Sequence, residues 1–358
     1  MRVEYFMHCN NTGYGKAGKH YVLKLIQLGH MVSVKPIGKA DLKDDTIDNQ
    51  IKALIDKNIG KPDCRIIHAI PHTHIALSTV QNDGVFTFWF YAWELSILPS
   101  MYKEVLAQAD HCVTFAPWQV ETYVKNTGKD NISYLPHVTM DKIGYQKRTW
   151  NAPFTFFSML RWDERKDPVT LIKAFLYAFN ANNPVRLLLK VSAISAHNAN
   201  LATNMIMKSA RLNKTYPTIT VIPNDLTDDE MNKLYEQADV FISTTRGEGW
   251  GLGFNEALLR GIPVIYPDSP YLVKHFFTKE NSISVPTRNI LVYNSSFPQQ
   301  EDNMIWSQTD EIALVNIMRH MVVNHKQLFQ LPVHISEAYT KEQDTIDTYF
   351  NDILSKVR

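Results

Sequence analysis

A chain of 358 residues with a formal net charge of +1 is too long for one hydrophobic core and too close to neutral to be organised around a polyanion. With 45% hydrophobic and 20% charged residues it has the composition of an ordinary globular protein, which sets disordered and fibrous classes aside. Its longest apolar run, residues 85–93 broken only by Thr87, is far too short to span a bilayer, and Arg2, Glu4 and His8 spoil a signal peptide. The expectation is a cytoplasmic protein, with the membrane periphery as the alternative location. Cys9, Cys64 and Cys112 are odd in number and widely spaced, and read as reduced, buried thiols.

In chain order, residues 2–7 read as a strand. The loop Asn10-Asn11-Thr12-Gly13-Tyr14-Gly15-Lys16-Ala17-Gly18 leads into a helix through Leu28, ended by Gly29-His30, and residues 31–34 read as the next strand. Gly13, Gly15 and Gly18 satisfy G-x-G-x-x-G between a strand and a helix, which raises a dinucleotide-binding oxidoreductase. The acidic residue required at the end of the following strand is replaced by Lys35 and Pro36, so NAD is removed and NADP alone stays as a rival.

Further strands at residues 65–69, 85–90, 112–115 and 132–135 alternate with helical stretches, the pattern of a doubly wound parallel sheet. Ligands bind beyond the carboxyl ends of such strands. Those ends carry His68, Pro71-His72-Thr73-His74, Tyr91-Ala92-Trp93-Glu94, Pro117-Trp118 and Pro136-His137. His72 and His74, with no carboxylate or cysteine nearby, read as a hydrogen-bonded loop rather than a metal site. Trp89, Tyr91 and Trp93 alternate onto one strand face; Trp89 reads as core and the other two as rings able to stack on a sugar.

The irregular basic stretch around Lys142, Lys147, Arg148 and Trp150 suits an interdomain linker. A strand over residues 154–160 then meets Arg161-Trp162-Asp163-Glu164-Arg165-Lys166-Asp167-Pro168 and a helix through Phe179. Strands at residues 186–191 and 219–222 and a helix over 228–238, capped by Thr227, lead to a buried strand at residues 239–243. After it come Gly247, Glu248, Gly249, Trp250, Gly251, Leu252 and Gly253, a short helix from about residue 254 that Gly261 ends, and a strand at 263–266. Residues 291–304 show no period and read as a long surface loop, followed by helices at about 309–324 and 335–357.

Glu248 and Glu256 stand at the two ends of the glycine loop. If the loop wraps a ligand, each carboxylate can accept hydroxyl hydrogen bonds from a sugar diol, and phosphates would sit between them on the helix N-terminus. This stretch resembles the signature of the family-4 retaining glycosyltransferases of the GT-B fold, in which Glu, seven residues and Glu are followed by Ala and Gly-x-Pro-Val-Ile. Those elements stand here as Glu248, Glu256, Ala257, Gly261, Pro263, Val264 and Ile265.

The resemblance implies an α/β chain of two Rossmann-like doubly wound parallel-sheet domains facing each other across a cleft. Residues 1–148 would form the acceptor-side domain, 149–335 the nucleotide-sugar-binding domain and 336–358 a helix crossing back to the first. By the same resemblance Glu256 holds the ribose, Glu248 lies by the donor sugar, and amides of Gly249, Trp250, Gly251, Leu252 and Gly253 contact sugar and phosphate. Arg161 and Lys166 match the clamp on the diphosphate, although Ser158 departs from the usual glycine-led text and Asp167 replaces its last glycine. The loop with Gly13 and Gly15 would close over donor phosphates and acceptor, and residues 221–225 would border the base. Many relatives have a His after the fourth strand; this chain instead resembles a subgroup with Tyr/Trp-x-Trp-Glu-Leu and Leu-Pro, found at residues 91–95 and Leu98-Pro99. That makes Glu94 the candidate base for the acceptor hydroxyl. Tyr14, Tyr91, Trp93, Glu94 and His137 form the acceptor-side set.

The implied reaction moves a glycosyl group from a nucleoside diphosphate sugar, with anomeric retention carried over from the family. Loss of the diphosphate requires positive charge on its oxygens. No Asp-x-Asp motif occurs, so Arg161, Lys166 and helix N-termini are the expected suppliers, with no metal and no cofactor. The acceptor is a glycan, a lipid-linked sugar, a small molecule or modified DNA, since some phage enzymes of this fold act on bases. The rivals are a glycoside hydrolase, which also uses two carboxylates but has no use for a diphosphate clamp, a non-catalytic nucleotide-sugar sensor, and the NADP oxidoreductase.

Overall fold

The computed structural model describes residues 1–10, 12–38, 47–139, 150, 152–192, 196–209, 215–292, 301, 303–329 and 333–357. The chain divides into two compact units, one of residues Met1–Lys142 with Thr340–Arg358 and one of Ile143–Tyr339. Most of the basic stretch read as a linker lies outside the described residues.

The first unit runs β1 (Arg2–Met7), α1 (Gly13–Gln27), β2 (Met31–Pro36), α2 (Asn49–Lys52), β3 (Cys64–His68), α3 (Thr73–Thr79), β4 (Phe86–Phe90), α4 (Ser100–Leu106), β5 (His111–Thr114), α5 (Pro117–Thr127) and β6 (Ile132–Tyr134). Its six strands are parallel in the order β2-β1-β3-β4-β5-β6. Every residue of β3 and β5 is buried, as expected of strands covered by helices on both faces. Trp89 is fully buried in β4 and donates its indole N–H to the Ala69 carbonyl at 2.9 Å, the core role read for it. Arg65, 1% exposed, is satisfied by Glu4 and Asp83 at 2.8 and 2.9 Å. His72 accepts from the His74 amide at 3.2 Å and so caps α3, and the three cysteines are buried thiols.

The second unit runs β7 (Phe154–Leu160), α6 (Pro168–Ala178), β8 (Val185–Val191), α7 (Ala196–Ser209), β9 (Thr218–Ile222), α8 (Asp228–Glu236), β10 (Val240–Ile242), α9 (Leu252–Leu259), β11 (Val264–Pro267), β12 (Ser282–Val285), β13 (Thr287–Leu291), β14 (Ile305–Thr309) and α10 (Glu311–Leu328). Its main sheet is parallel in the order β12-β11-β10-β7-β8-β9. Phe157, Phe241 and Phe254 pack edge to face in this core, and Phe156 meets Phe154 and Phe175 edge to face. α8 begins with a full capping box between Thr227 and Glu230.

Most of the stretch read as a loop over residues 291–304 lies outside the described residues; it is flanked by β13 and β14, which pair antiparallel from Thr287↔Thr309 to Leu291↔Ile305. One expectation changes. The final helix is two, α11 (Glu337–Asp344) and α12 (Ile346–Leu354), separated at Thr345. The chain returns to the first unit at Thr340, within α11. Among the described residues no helix is long and apolar enough to cross a membrane.

Candidate functional site

In each sheet the chain starts in an inner strand, builds outward on one side, and then crosses over to the other. The crossing points fall between β1 and β3 in the first unit and between β7 and β10 in the second. Open parallel sheets bind ligands outside the carboxyl ends of their strands at such points.

At the second unit's crossing point, the loop from β7 to α6 is tied to the loop from β10 to α9. Arg165 donates from Nη1 to the Gly247 carbonyl at 2.6 Å and reaches Glu248 Oε2 at 3.4 Å. Its own carbonyl accepts from the Arg246 amide at 2.7 Å, and Thr244 Oγ1 donates to the Asp167 carbonyl at 2.8 Å. Lys166 Nζ donates to Glu248 Oε1 at 2.5 Å, and the Glu248 amide donates to the Tyr271 carbonyl at 2.8 Å. The Glu248 side chain is 12% exposed. Burial alone would raise its pKa, but Lys166 and Arg165 together outweigh it and hold the carboxyl below the ordinary Glu range. Burial depresses Lys166, and the Glu248 charge offsets only part of that.

Asp163 organises the first loop, accepting from the Lys166 amide at 2.9 Å and from Arg161 Nε at 2.5 Å. Arg161 thus stands at the rim, its side chain 47% exposed, while Lys166 sits inside. Asp167 occupies the position where the resembling family has glycine, and its backbone is left-handed, with φ 46° and ψ 54°. Short polar side chains tolerate that region when locally bonded. Asp167 Oδ1 accepts from the Thr170 amide at 3.4 Å and Oδ2 from Gln308 Nε2 at 2.8 Å.

The predicted donor-binding run is the N-terminal end of α9. Gly251 caps the helix at φ 97°, a conformation that costs a side-chain-bearing residue, and no side chain takes the cap's place. The first amides of a helix face out of its end, where they favour an anion. Gly249 is buried in the loop, Leu252 opens the helix, and a Cβ on Gly253 would come within 2.7 Å of Phe241. Trp250 is 3% exposed, its ring against His275, Phe276 and Tyr339, so its indole belongs to the core. Glu256, half-buried in α9, accepts from the Tyr235 hydroxyl at 2.8 Å. Arg165, Asp163 and Tyr235 were not among the sequence candidates.

The first unit's crossing point is built differently. Thr12 caps α1 by accepting from the Gly15 amide at 3.3 Å. A Cβ on Gly15 would lie 1.9 Å from the Asn10 carbonyl oxygen, and one on Gly18 2.9 Å from Met7. Gly18 is required by the close seating of α1 on β1, and Gly15 by its seating on the loop that follows β1. Gly13 is exposed at the first turn. His68 is 1% exposed, bonded to Tyr5 at 2.9 Å and ringed by Tyr14 and Tyr21; burial lowers its pKa to about 3. His137 is buried against Tyr21 and Phe115, and burial drives it well below the ordinary His value.

Among the acceptor-side candidates, Tyr14 is half-buried and accepts from the Ala92 amide at 3.0 Å, and Glu94 is half-buried beyond the end of β4. Tyr91, Trp93 and His137 are interior. Tyr91 is 0% exposed, and Trp93 packs on Tyr102 with its indole donating to the Ile97 carbonyl at 2.7 Å. Both rings follow the last residue of β4, and the Tyr91 amide still donates to the Val113 carbonyl of β5 at 3.0 Å. No group of three or more His, Cys, Asp or Glu among the described residues could hold a metal ion.

No protein-family model matches the chain, and no curated protein matches its sequence. Solved structures are similar to it in fold. Sucrose-phosphate synthase from Thermosynechococcus elongatus superposes with a TM-score of 0.65 at 14% identity, over 99% of this chain and 100% of that one. A glycosyltransferase from Rickettsia africae gives 0.62 at 13%, over 99% and 98%. A mutant TarM from S. aureus, in complex with fondaparinux, α-GlcNAc-glycerol and UDP, gives 0.56 at 13% over 82% of this chain. The match spans only 55% of TarM, about half its length. At these identities the likeness establishes the fold, which is that of the GT-B glycosyltransferases, with a parallel six-stranded sheet in each unit.

Proposed function

We propose that the protein is a glycosyltransferase that moves a sugar from a nucleoside diphosphate sugar to a hydroxyl acceptor, with the retaining chemistry of the family-4 enzymes its motif resembles. The observation that carries this reading is the arrangement at the β7/β10 crossing point. Two basic side chains, Arg165 and Lys166, converge on Glu248 in front of a side-chain-free helix N-terminus whose first turns also carry Glu256.

In this reading the diphosphate lies on the α9 amides between Arg161 and Lys166, which stabilise the negative charge that develops as the sugar leaves. Lys166 exchanges Glu248 for phosphate oxygen, and Glu248 turns to the hydroxyls of the donor sugar. Glu256 takes the ribose. The bond from the anomeric carbon to the diphosphate breaks and one to the acceptor oxygen forms on the same face, with the acceptor proton leaving to the departing phosphate or to Glu94. The charge is supplied by the protein, so no metal takes part. The first unit, with Tyr14 and Glu94 beside its own crossing point, receives the acceptor.

The UDP held by TarM makes uridine nucleotides the first donors to try. A panel of UDP-, GDP- and ADP-sugars incubated with the protein in EDTA should give release of one nucleoside diphosphate, and NMR of the product should show the donor's anomeric configuration. Inverted product would refute retention. Activity lost in EDTA and restored by manganese or magnesium would refute the metal-free step, and failure of every nucleotide sugar to bind would refute the whole reading.

A further inference from the structure

We propose that Tyr235 is a positioning residue for the Glu256 carboxylate and sets the second unit's preference for ribose over deoxyribose, an inference that rests on the donor reading above. Tyr235 lies near the end of α8 and is fully buried, and its hydroxyl donates to Glu256 Oε2 on the neighbouring α9 at 2.8 Å. Burial, and then the Glu256 charge, keep the phenol protonated well above its ordinary pKa, so it is a fixed donor and never a competing anion.

The ring itself is locked. Its edge meets Phe157 at 5.0 Å, and the Arg260 guanidinium lies over its face at 4.3 Å. Arg260 is in turn held by Asn232 Oδ1 at 2.6 and 3.2 Å and by the Glu256 carbonyl at 2.9 Å. Asn232 and Tyr235 are three residues apart on α8, and Glu256 and Arg260 four apart on α9, so each pair shares one helix face. The two helices are therefore joined through four side chains that end on a single carboxylate.

A half-buried Glu has several rotamers, and ordering it at the moment of binding weakens affinity. Holding one oxygen from behind fixes the carboxylate plane before the sugar arrives, which is how a supporting residue sharpens a binding group. What that plane distinguishes is a vicinal diol from a single hydroxyl. Tyr235 thus acts on affinity through the ribose and leaves the phosphates to Arg161 and Lys166. A buried phenol satisfied only for the sake of the fold would not discriminate in this way.

The test uses calorimetry with the diphosphates of uridine, adenosine, guanosine and cytidine and their 2′-deoxy forms, on the full chain. The wild type should bind one ribonucleotide about tenfold or more tightly than its deoxy form. Tyr235→Phe keeps the ring, its packing and the Arg260 contact, and removes only the hydroxyl. It should weaken the ribonucleotide about five- to tenfold and the deoxynucleotide hardly at all, closing the gap. In Glu256→Ala the gap should already be closed, and adding Tyr235→Phe should change nothing further. Equal losses for both sugars, or an unmoved ratio in a wild type that binds, would overturn this inference and leave the donor reading standing. A wild type that binds none of the diphosphates would overturn both.

Discussion

The crossing point of the first unit is lined by His68, Tyr5, Tyr14 and Tyr21, while that of the second holds Asp163, Arg165, Lys166 and Glu248 in contact with one another. The sheets beneath them are alike, six parallel strands with one reversal of order. In the first unit burial holds His68 and His137 neutral. In the second, Arg165 and Lys166 are both paired with the Glu248 carboxylate, and in the proposed reading a phosphate takes its place by exchange. The difference between the two crossing points lies in side chains and not in topology.

The largest effect should come from taking the cations away. Arg161→Ala with Lys166→Ala is expected to lower transfer by about a thousandfold and to remove tight binding of the nucleoside diphosphate, while a nucleoside without phosphates binds as before. Single-turnover rates and calorimetry measure this, and loss of nucleoside binding as well would mean that the loop had collapsed. Glu256→Ala should weaken the nucleoside diphosphate about ten- to a hundredfold with an unchanged circular dichroism spectrum. Unchanged affinity would remove the ribose role.

Gly15→Ala turns the same comparison around. The new Cβ would meet the Asn10 carbonyl at 1.9 Å, so the first unit should lose about 1–3 kcal/mol of stability. Nucleoside diphosphate affinity should stay at the wild-type level in the molecules that remain folded. A selective loss of nucleotide binding with no change in thermal midpoint would place the phosphate seat in the first unit instead.

A further effect is one of pH. His68 titrates at about 3 and His111 at about 4 in the folded first unit, both lowered chiefly by burial, against about 6.5 for an unfolded His. Between those values the unfolded chain binds more protons. Stability is therefore complete above about pH 6.5 and falls on acidification, by up to about 1.4 kcal/mol per pH unit for each histidine. Glu248 is lowered from 4.5, so its contribution is present above that value and is lost only at lower pH. Hydrogen exchange on going from pH 7 to pH 5 should loosen peptides of the first unit before those around Glu248, and the opposite order would contradict these assignments.

Much of the second sheet and the Glu248/Glu256 spacing could be read from sequence, because buried strands are short apolar runs and glycines mark the loop between them. Arg165 and Asp163 could not, since a run of five charges at residues 163–167 does not show which of them turn inward. Tyr235 carried no signal of its own within the helix read over 228–238; its hydroxyl takes on meaning once α9 is placed beside it. β13 escaped notice because it buries no residue and has no hydrophobic alternation to find. The alternation of Tyr91 and Trp93 did not show that both side chains, which follow the end of β4, are buried. The NAD exclusion argued from Lys35 and Pro36 concerns one missing acidic residue; the first sheet's order β2-β1-β3 differs from the classic dinucleotide order 3-2-1-4-5-6.

The central claim is that the phosphates of the ligand sit on the second unit. Amide hydrogen exchange of the full chain with and without saturating nucleoside diphosphate, compared with the same experiment in NADP, tests it most directly. The account predicts protection by the diphosphate at residues 161–167 and 246–253, with NADP causing none at residues 12–18. Protection confined to residues 12–18, whether by diphosphate or by NADP, would contradict it.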